Sequence, residues 1–513
     1  PLETAAKATP PPQTAASSPA RGKLGAHPNV LLIVFDDLND WIGSLDGHPN
    51  TRTRQLDRFA RRSLVFTNAY SDAPACNPSR TALLSGLRPT TSGVYFNGQP
   101  YLAALPGTYT LVEYFSGQGY RTLGSGKIFH SFGSGKNVWE EHFGQRPEDD
   151  EQAGVEHQDH LFAKKHFSWG PVETDFRKTP DMRVARAAAK WLLAPSDRPF
   201  FLAVGFHKPH LPWDVPQRFF DAHPLDRATV PAGYQAGDLA DVPAVGRRLA
   251  RREEHKKILE AQAWERAIQA YLASITYADA AFGVVIRALE KGPHLDNTVV
   301  IVTSDHGFHL GEKNHWGKYT LWREANRIPL LISVPGGPAM GRKTAGPTTL
   351  VDLYPTLVDL CGLPPAANLD GVSLVPLLED PVQAWPHPAL TTHRVGNTSV
   401  RTGEWTLIRY NDGTEELYNV RADPYEWTNL ADDPGSAGAL ARLSRYLPET
   451  YAPNAPFSFR PNDIKSTAQN LLRFFSPEQL RREIDRQAKQ RQQRQSELEV
   501  EGAQESSEEE GAP

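Results

Sequence analysis

Short apolar runs that end in polar residues recur along the chain. Asn29 to Phe35 (NVLLIVF) runs into Asp36 and Asp37, Phe200 to Gly205 (FFLAVG) into His207, and Thr298 to Thr303 (TVVIVT) into Asp305 and His306. Near-continuous apolar runs of strand length mark parallel strands covered on both faces, and in open α/β sheets ligands gather beyond the strands' carboxyl ends. One edge of the sheet would therefore collect all of these polar groups. Between the second and third runs, Ile268, Leu272, Ile275, Phe282, Ile286 and Leu289 recur at helical spacing over Trp264 to Lys291, and Gly292-Pro293 stops the helix. Strand, helix and strand in succession predict an α/β fold with a large mixed, mostly parallel sheet flanked by crossover helices.

The pattern changes after residue 390. Ser399 to Tyr410 (SVRTGEWTLIRY), the turn Asn411-Asp412-Gly413 and Glu416 to Val420 (ELYNV) predict a hairpin in a smaller C-terminal antiparallel-sheet subdomain. From Ser476 the chain is rich in Gln, Arg and Glu, which predicts an exposed helix passing into a solvated tail. The expected organisation is a flexible segment over 1–28, a main domain over 29–390, the subdomain over 391–475 and the charged tail over 476–513.

Composition narrows the classes of function. The 513 residues exceed the roughly 250 to 300 at which a single core stops growing, so two packed units are expected. Formal charge is −5 with both signs spread along the chain, so no basic face points to nucleic acid. No apolar run approaches the roughly 20 residues of a membrane span. The Pro/Ala/Thr-rich opening, up to Pro28, reads as a tether left after signal-peptide removal or after artificial trimming; the expected location is secreted or periplasmic, or lysosomal in a eukaryote.

The chain has two cysteines, too few for a disulfide scaffold. Cys361 closes an apolar helical stretch, Val351 to Cys361, just before Gly362, and is expected to be a small core residue. Cys76 precedes Pro78, which suits the first turn of a helix that Gly86 would stop. At such a helix N-terminus the backbone N–H groups favour negative charge, and Arg80, four residues on, adds a fixed cation on the same face. Taken alone, a free cysteine is more often a core thiol.

Asp36-Asp37 and Asp305-His306 are each, in isolation, ordinary caps or turns. Together at the ends of two strands they suit a metal, and hard oxygen ligands favour Ca²⁺ or Mg²⁺. Lys127 and His130, His207 and Lys318 are likewise common surface or capping residues when read singly.

The order of these segments carries more. Cys76-Asn77-Pro78-Ser79-Arg80 resembles the Cys-x-Pro-Ser-Arg signature of type I sulfatases. Gly126-Lys127-Ile128-Phe129-His130, Gly205-Phe206-His207-Lys208-Pro209-His210, and Ser304-Asp305-His306-Gly307 followed by Lys318 occur in that family's order. The resemblance runs from about Asn29 to Leu430 and is nearest to the iduronate-2-sulfatase branch, through Gly205 to Pro212 and Trp316 to Leu321.

The resemblance implies an alkaline-phosphatase-like fold and hydrolysis of a sulfated carbohydrate, with a 2-O-sulfated uronic acid as the leading substrate. It implies that a formylglycine-generating enzyme converts Cys76 into formylglycine, whose hydrate attacks sulfur, and that Asp36, Asp37, Asp305, His306 and the modified Cys76 bind one Ca²⁺. Lys127 and Lys318, with Arg80 nearby, would hold the sulfate, His130 would orient the nucleophile, and His207 would protonate the leaving alcohol. Phe308-His309 and the polar insert Glu148 to His160 depart from the family pattern and are expected near the pocket mouth, while Lys208, Arg323 and Arg327 are available for a substrate carboxylate. Two rival functions share these residues: phosphomonoester or phosphonate hydrolysis in the same superfamily, and non-catalytic binding of a sulfated glycan with Cys76 unmodified.

Overall fold

Strand Asn29–Asp36 (β1) lies at the centre of an eight-stranded sheet, with every residue buried. The computed structural model describes residues 18–99, 108–130, 138–143 and 167–455; the opening segment before residue 18, the insert at 148–160 and the tail at 476–513 lie outside the described residues. The other strands of the sheet are Leu64–Phe66 (β2), Arg121–Gly126 (β3), Glu141–Phe143 (β4), Phe200–Pro209 (β5), Thr298–Ser304 (β6), Leu330–Ser333 (β7) and Lys343–Thr344 (β8). Their spatial order is β8-β2-β7-β6-β1-β5-β3-β4, and β7 runs against both of its neighbours while the remaining pairs are parallel.

Alternation along β1 divides the core into two. Leu31, Ile33 and Phe35 pack on one face against Phe282 and Ile286 of the helix Trp264–Lys291, while Val30, Leu32 and Val34 face a second cluster with Leu83, Leu353 and Leu357. The 28-residue helix is long and apolar enough to cross a membrane by length and composition, but most of its apolar span is buried in this core. Cys361 is fully buried at the end of the helix Leu353–Cys361, capped by Gly362 in the left-handed region, and burial pushes its thiol up to about 12. That is the inert core thiol expected of it.

The register of β1 brings the polar residues level. Phe35 lies beside Ser304 of β6, so Asp36 and Asp37 emerge next to Asp305. On the other side Val34 pairs with Gly205 but Asp36 pairs with Pro209, so Phe206, His207 and Lys208 bow out opposite Phe35 alone. A bulge of this kind re-aims side chains at the cost of ladder hydrogen bonds. Asp181, in the first turn of the helix Pro180–Leu192, takes up the freed amides: His207 N donates to its Oδ1 (2.8 Å) and Lys208 N to its Oδ2 (2.9 Å).

The smaller sheet contains Ala389–Thr392 (β9), Thr398–Arg401 (β10), Trp405–Arg409 (β11) and Glu415–Asn419 (β12), antiparallel and in sequence order. The run Ser399 to Tyr410, expected as one strand, is two. Thr402 turns the chain: its hydroxyl accepts from Trp405 N (3.0 Å) while Thr402 N donates to Trp405 O (2.9 Å). The second turn, at Asn411 to Gly413, falls where the sequence places it. Buried polar pairs fasten this sheet to the large unit; Trp322 Nε1 donates to Glu416 Oε2 (2.8 Å) and Arg401 Nη2 to Leu321 O (2.5 Å).

Candidate active site

Helix Cys76–Ser85 starts at Cys76 because Ala75 before it is extended (φ −157°, ψ 142°) and Pro78 accepts the first-turn geometry. Gly86 ends it at φ 69°, as a residue without Cβ does most cheaply. All ten helical residues are buried, and Ser79 Oγ donates to Asp305 O, clamping the first turn to the end of β6.

Around the Cys76 sulfur the charged groups converge. Sγ lies 3.0 Å from Lys318 Nζ, 3.3 Å from His306 Nε2 and 3.6 Å from Asp36 Oδ1, and it is near enough to the buried His130 ring for the two to interact electrostatically. Lys127 Nζ contacts Asp36 Oδ2, and Lys318 Nζ is 2.7 Å from Asp37 Oδ1. Lys127 reaches this position because Gly126 (φ 75°) and Gly205 let two backbones touch: a Cβ on Gly205 would sit 1.8 Å from Lys127 O. Arg80 is fully enclosed. Its Nε donates to Asp305 Oδ2 (2.8 Å) and its Nη1 to Lys127 O (2.6 Å) and Ile128 O (3.0 Å). Asp305 Oδ1 in turn accepts from Asp37 N (3.1 Å) and His306 N (2.9 Å), which holds Asp37 at φ 66°.

Such a cluster shifts protons. Burial alone would push the Cys76 thiol up, but Lys318, His306 and Lys127 hold it well below the ordinary thiol range. Asp36 is likewise driven down, with Lys127 foremost in overcoming burial. His306, disfavoured as a cation by burial, is raised to about 9 by Asp305. His207 is pushed well below the usual imidazole range by burial and by His210, Lys127 and Lys208, so it rests neutral. His210 goes the other way: Asp37 and Asp36 overcome burial and favour its charged form.

The donor atoms of Asp36, Cys76, Asp305 and His306 lie within 4.8 Å of one another, as do those of Asp36, Asp37, Cys76 and His210. Each group sets two carboxylates beside an imidazole and the Cys76 sulfur, and the three carboxylates of the two groups together suit a hard divalent cation such as Ca²⁺ or Mg²⁺. The lysine ammonium groups against Asp36 and Asp37 show that these carboxylates draw cations. The residues therefore fit the metal that the sequence suggests.

Two family models match the chain. The family model "Sulfatase" matches residues 28–363, and that of the C-terminal part of N-sulphoglucosamine sulphohydrolase matches residues 311–452. The chain belongs to the sulfatase family. A sulfatase of Formosa agariphila is 34% identical over 450 residues, covering 83% of this chain and 87% of that protein. Iduronate 2-sulfatase of Mus musculus is 31% identical over 384 residues, 66% of this chain and 69% of that protein. Among solved structures, a phosphonate monoester hydrolase from Silicibacter pomeroyi superposes with a TM-score of 0.70 at 21% identity, over 82% of this chain and 94% of that one. This last likeness speaks for the fold alone. The enzyme is a sulfuric ester hydrolase on an alkaline-phosphatase-like fold.

All ten residues singled out in the sulfatase sequence meet at one site: Asp36, Asp37, Cys76, Arg80, Lys127, His130, His207, Asp305, His306 and Lys318. His210, three residues beyond His207 in the same run, joins them, its Nε2 3.9 Å from Asp37 Oδ2 and its ring 4.7 Å from that of His207. Other expectations are corrected. Phe308 and His309 are buried away from any mouth: Phe308 stacks on Tyr271 and His309 Nε2 bonds Thr320 Oγ1 at 2.8 Å. Lys208 is bound to Asp214 and to Pro212 O, and Arg323 and Arg327 both pair with Asp40 Oδ2 at 2.7 Å, so these three cations are already committed.

A supporting residue also escaped the sequence. His315 is fully buried; its Nδ1 accepts from Arg251 N (2.8 Å), so its proton sits on Nε2, which donates to Lys318 O (2.9 Å). The ring thereby holds the backbone of the lysine that touches Cys76. Replacing His315 by Ala is expected to lower kcat/KM on every sulfate ester by roughly 10- to 100-fold, with Gln restoring part of it. A variant that melts earlier yet turns over normally would show that the ring only supports the fold.

Proposed function

We propose that the enzyme removes the sulfate of a 2-O-sulfated uronic acid from a sulfated polysaccharide, using formylglycine made from Cys76 by a separate modifying enzyme. The observation that carries this reading is the ring of cations on the Cys76 sulfur, with Lys318 at 3.0 Å, His306 at 3.3 Å and Lys127 beside Asp36. The sulfur marks where the oxygens of a hydrated aldehyde would lie, and that hydrate would supply the nucleophile. Ca²⁺ bound by Asp36, Asp37, Asp305 and His306 would polarise a sulfate oxygen. Similarity to iduronate 2-sulfatase supports the uronate, and extracellular or periplasmic residence, or a lysosomal one, suits a polysaccharide substrate.

The side chains divide the remaining work. Lys127 and Lys318 present fixed ammonium groups to the non-bridging oxygens, where preorganised charge lowers the barrier most. Arg80, pinned by Asp305, keeps the helix start and the Asp36 carboxylate in place. His130, whose ring interacts with the Cys76 side chain and is held toward its neutral form by burial, orients the nucleophile and takes the proton whose removal lets sulfate depart and restores the aldehyde. His207 gives a proton to the leaving alcohol. Neutral in the free enzyme, it charges when an anion offsets Lys127 and Lys208, with the cationic form of His210 beside it as a proton source.

Sulfate release from a defined 2-O-sulfated uronic acid disaccharide, in competition with the matched phosphate ester, tests the substrate. Preferred turnover of the phosphate would favour the rival hydrolase. His207→Ala is expected to cost roughly 10²- to 10⁴-fold on alkyl sulfates and far less on activated aryl sulfates, whose leaving groups need no proton. Equal losses on both would remove His207 from that role.

A further inference from the structure

A charged sugar needs a cation near the nucleophile, and the rim of the site holds a guanidinium over an aromatic face. Asn77 N, next to Cys76, donates to Asn97 Oδ1 (3.0 Å), and Asn97 Nδ2 donates to Tyr319 OH (3.4 Å). Tyr319 follows Lys318, and its ring lies 5.3 Å from the Arg251 guanidinium carbon and 6.1 Å from the His393 ring. Phe96, before Asn97, carries the Arg394 guanidinium over its face at 5.6 Å. Phe96, Asn97, Tyr319 and Arg394 are each half-buried, while Cys76 beneath is 1% exposed. These residues form part of the mouth through which a substrate would reach the nucleophile.

Arg394 is held there by an unusually fastened loop. It lies between β9 and β10, where His393 N donates to Asn397 O (3.0 Å) and Asn397 Nδ2 returns a bond to His393 O (3.0 Å). Asn397 Oδ1 also accepts from Asn411 N (3.1 Å), tying the loop to the next turn of the sheet. Arg394 itself is at φ 62°, a region that a long side chain enters only when its surroundings insist. Burial pushes its guanidinium down to about 9, with Tyr319 opposing, and an anion brought to the mouth would reverse that shift.

We propose that Arg394, stacked on Phe96 and beside Tyr319, is the specificity-determining cation of the mouth and takes the carboxylate of the sugar whose sulfate ester is cut at Cys76. This rests on the carbohydrate-sulfatase reading above and assigns the substrate's acidity to one residue. A guanidinium fork suits a carboxylate because two parallel hydrogen bonds fix both position and orientation. The smaller sheet thereby acquires a function: its first hairpin loop carries the reader of the sugar while the large sheet carries the chemistry.

Steady-state kinetics on four substrates test it: a 2-O-sulfated uronic acid disaccharide, its carboxyl-reduced counterpart, a carboxyl-free disulfated sugar and 4-nitrophenyl sulfate. Arg394→Ala should lose roughly 10- to 100-fold more kcat/KM on the uronate than on the aryl sulfate, with Arg394→Lys recovering part of the difference. Reducing the carboxyl should cost the wild type a similar factor and cost Arg394→Ala nothing further. Equal losses on uronate and aryl sulfate overturn the assignment, as does a loss that follows the second sulfate of the disulfated sugar. A wild type that cleaves the aryl sulfate but no uronate also overturns it. Failure on all four substrates by protein carrying formylglycine would instead sink the underlying functional reading.

Discussion

Changing Cys76 to Ala is expected to remove sulfate release, by roughly 10⁵-fold or more, while the melting temperature stays close to that of the wild type. The remaining groups can bind a sulfate but provide no atom to attack it. Lys318, His306 and Lys127 would still surround the site, and the helix would still start at the same residue because Ala75 and Pro78 set its geometry. The thiol fills little volume, so little packing is lost. Thermal melting and sulfate-release assays on one preparation separate the two effects. Retained turnover in the alanine variant would place the nucleophile elsewhere.

The second large effect is expected at Asp305. Its buried carboxylate holds Arg80 Nε at 2.8 Å and accepts the amides of Asp37 and His306. Alanine there takes the partner from Nε of a buried guanidinium, for which about 3–5 kcal/mol is a reasonable loss. Relief of repulsion from Asp36 offsets some of it, since burial and that neighbour already push the Asp305 carboxyl above the usual carboxylate range. Asn at the same position keeps hydrogen-bonding capacity and should fold better, yet lose most of the gain from Ca²⁺. For the wild type that gain is about 2.7 kcal/mol at a hundred times Kd. Melting curves with and without Ca²⁺ decide: an equal rise in wild type and Asp305→Asn would take Asp305 out of the metal site.

The strands that carry this chemistry are legible in the sequence because both faces of each are covered, so apolar residues run without a break and polar residues begin where the strand leaves the sheet. The long helix is legible for a related reason, since its buried stripe recurs with helical spacing and Gly292 ends it. Less visible are features set by register. His210 approaches Asp37 only because three residues of β5 bow out opposite Phe35, and Asp181, which stabilises that bow, sits on a separate helix. Phe308 and His309 look like a departure at the pocket, yet their place is decided by a stack on Tyr271 and a bond to Thr320. The cations offered for a sugar carboxylate fail similarly: nothing in the local sequence pairs Arg323 with Asp40, 283 residues away. Arg394 escapes notice because its place depends on a hairpin loop reaching Phe96 and Tyr319, which are distant in the sequence.

The most direct measurement is the mass of the tryptic peptide Ser63–Arg80 from protein made in its native host. The expected result is a peptide that has lost the sulfur of Cys76 and carries an aldehyde in its place, in the same preparation that releases sulfate. A peptide with an intact thiol, in protein that nevertheless releases sulfate, would contradict the formylglycine mechanism.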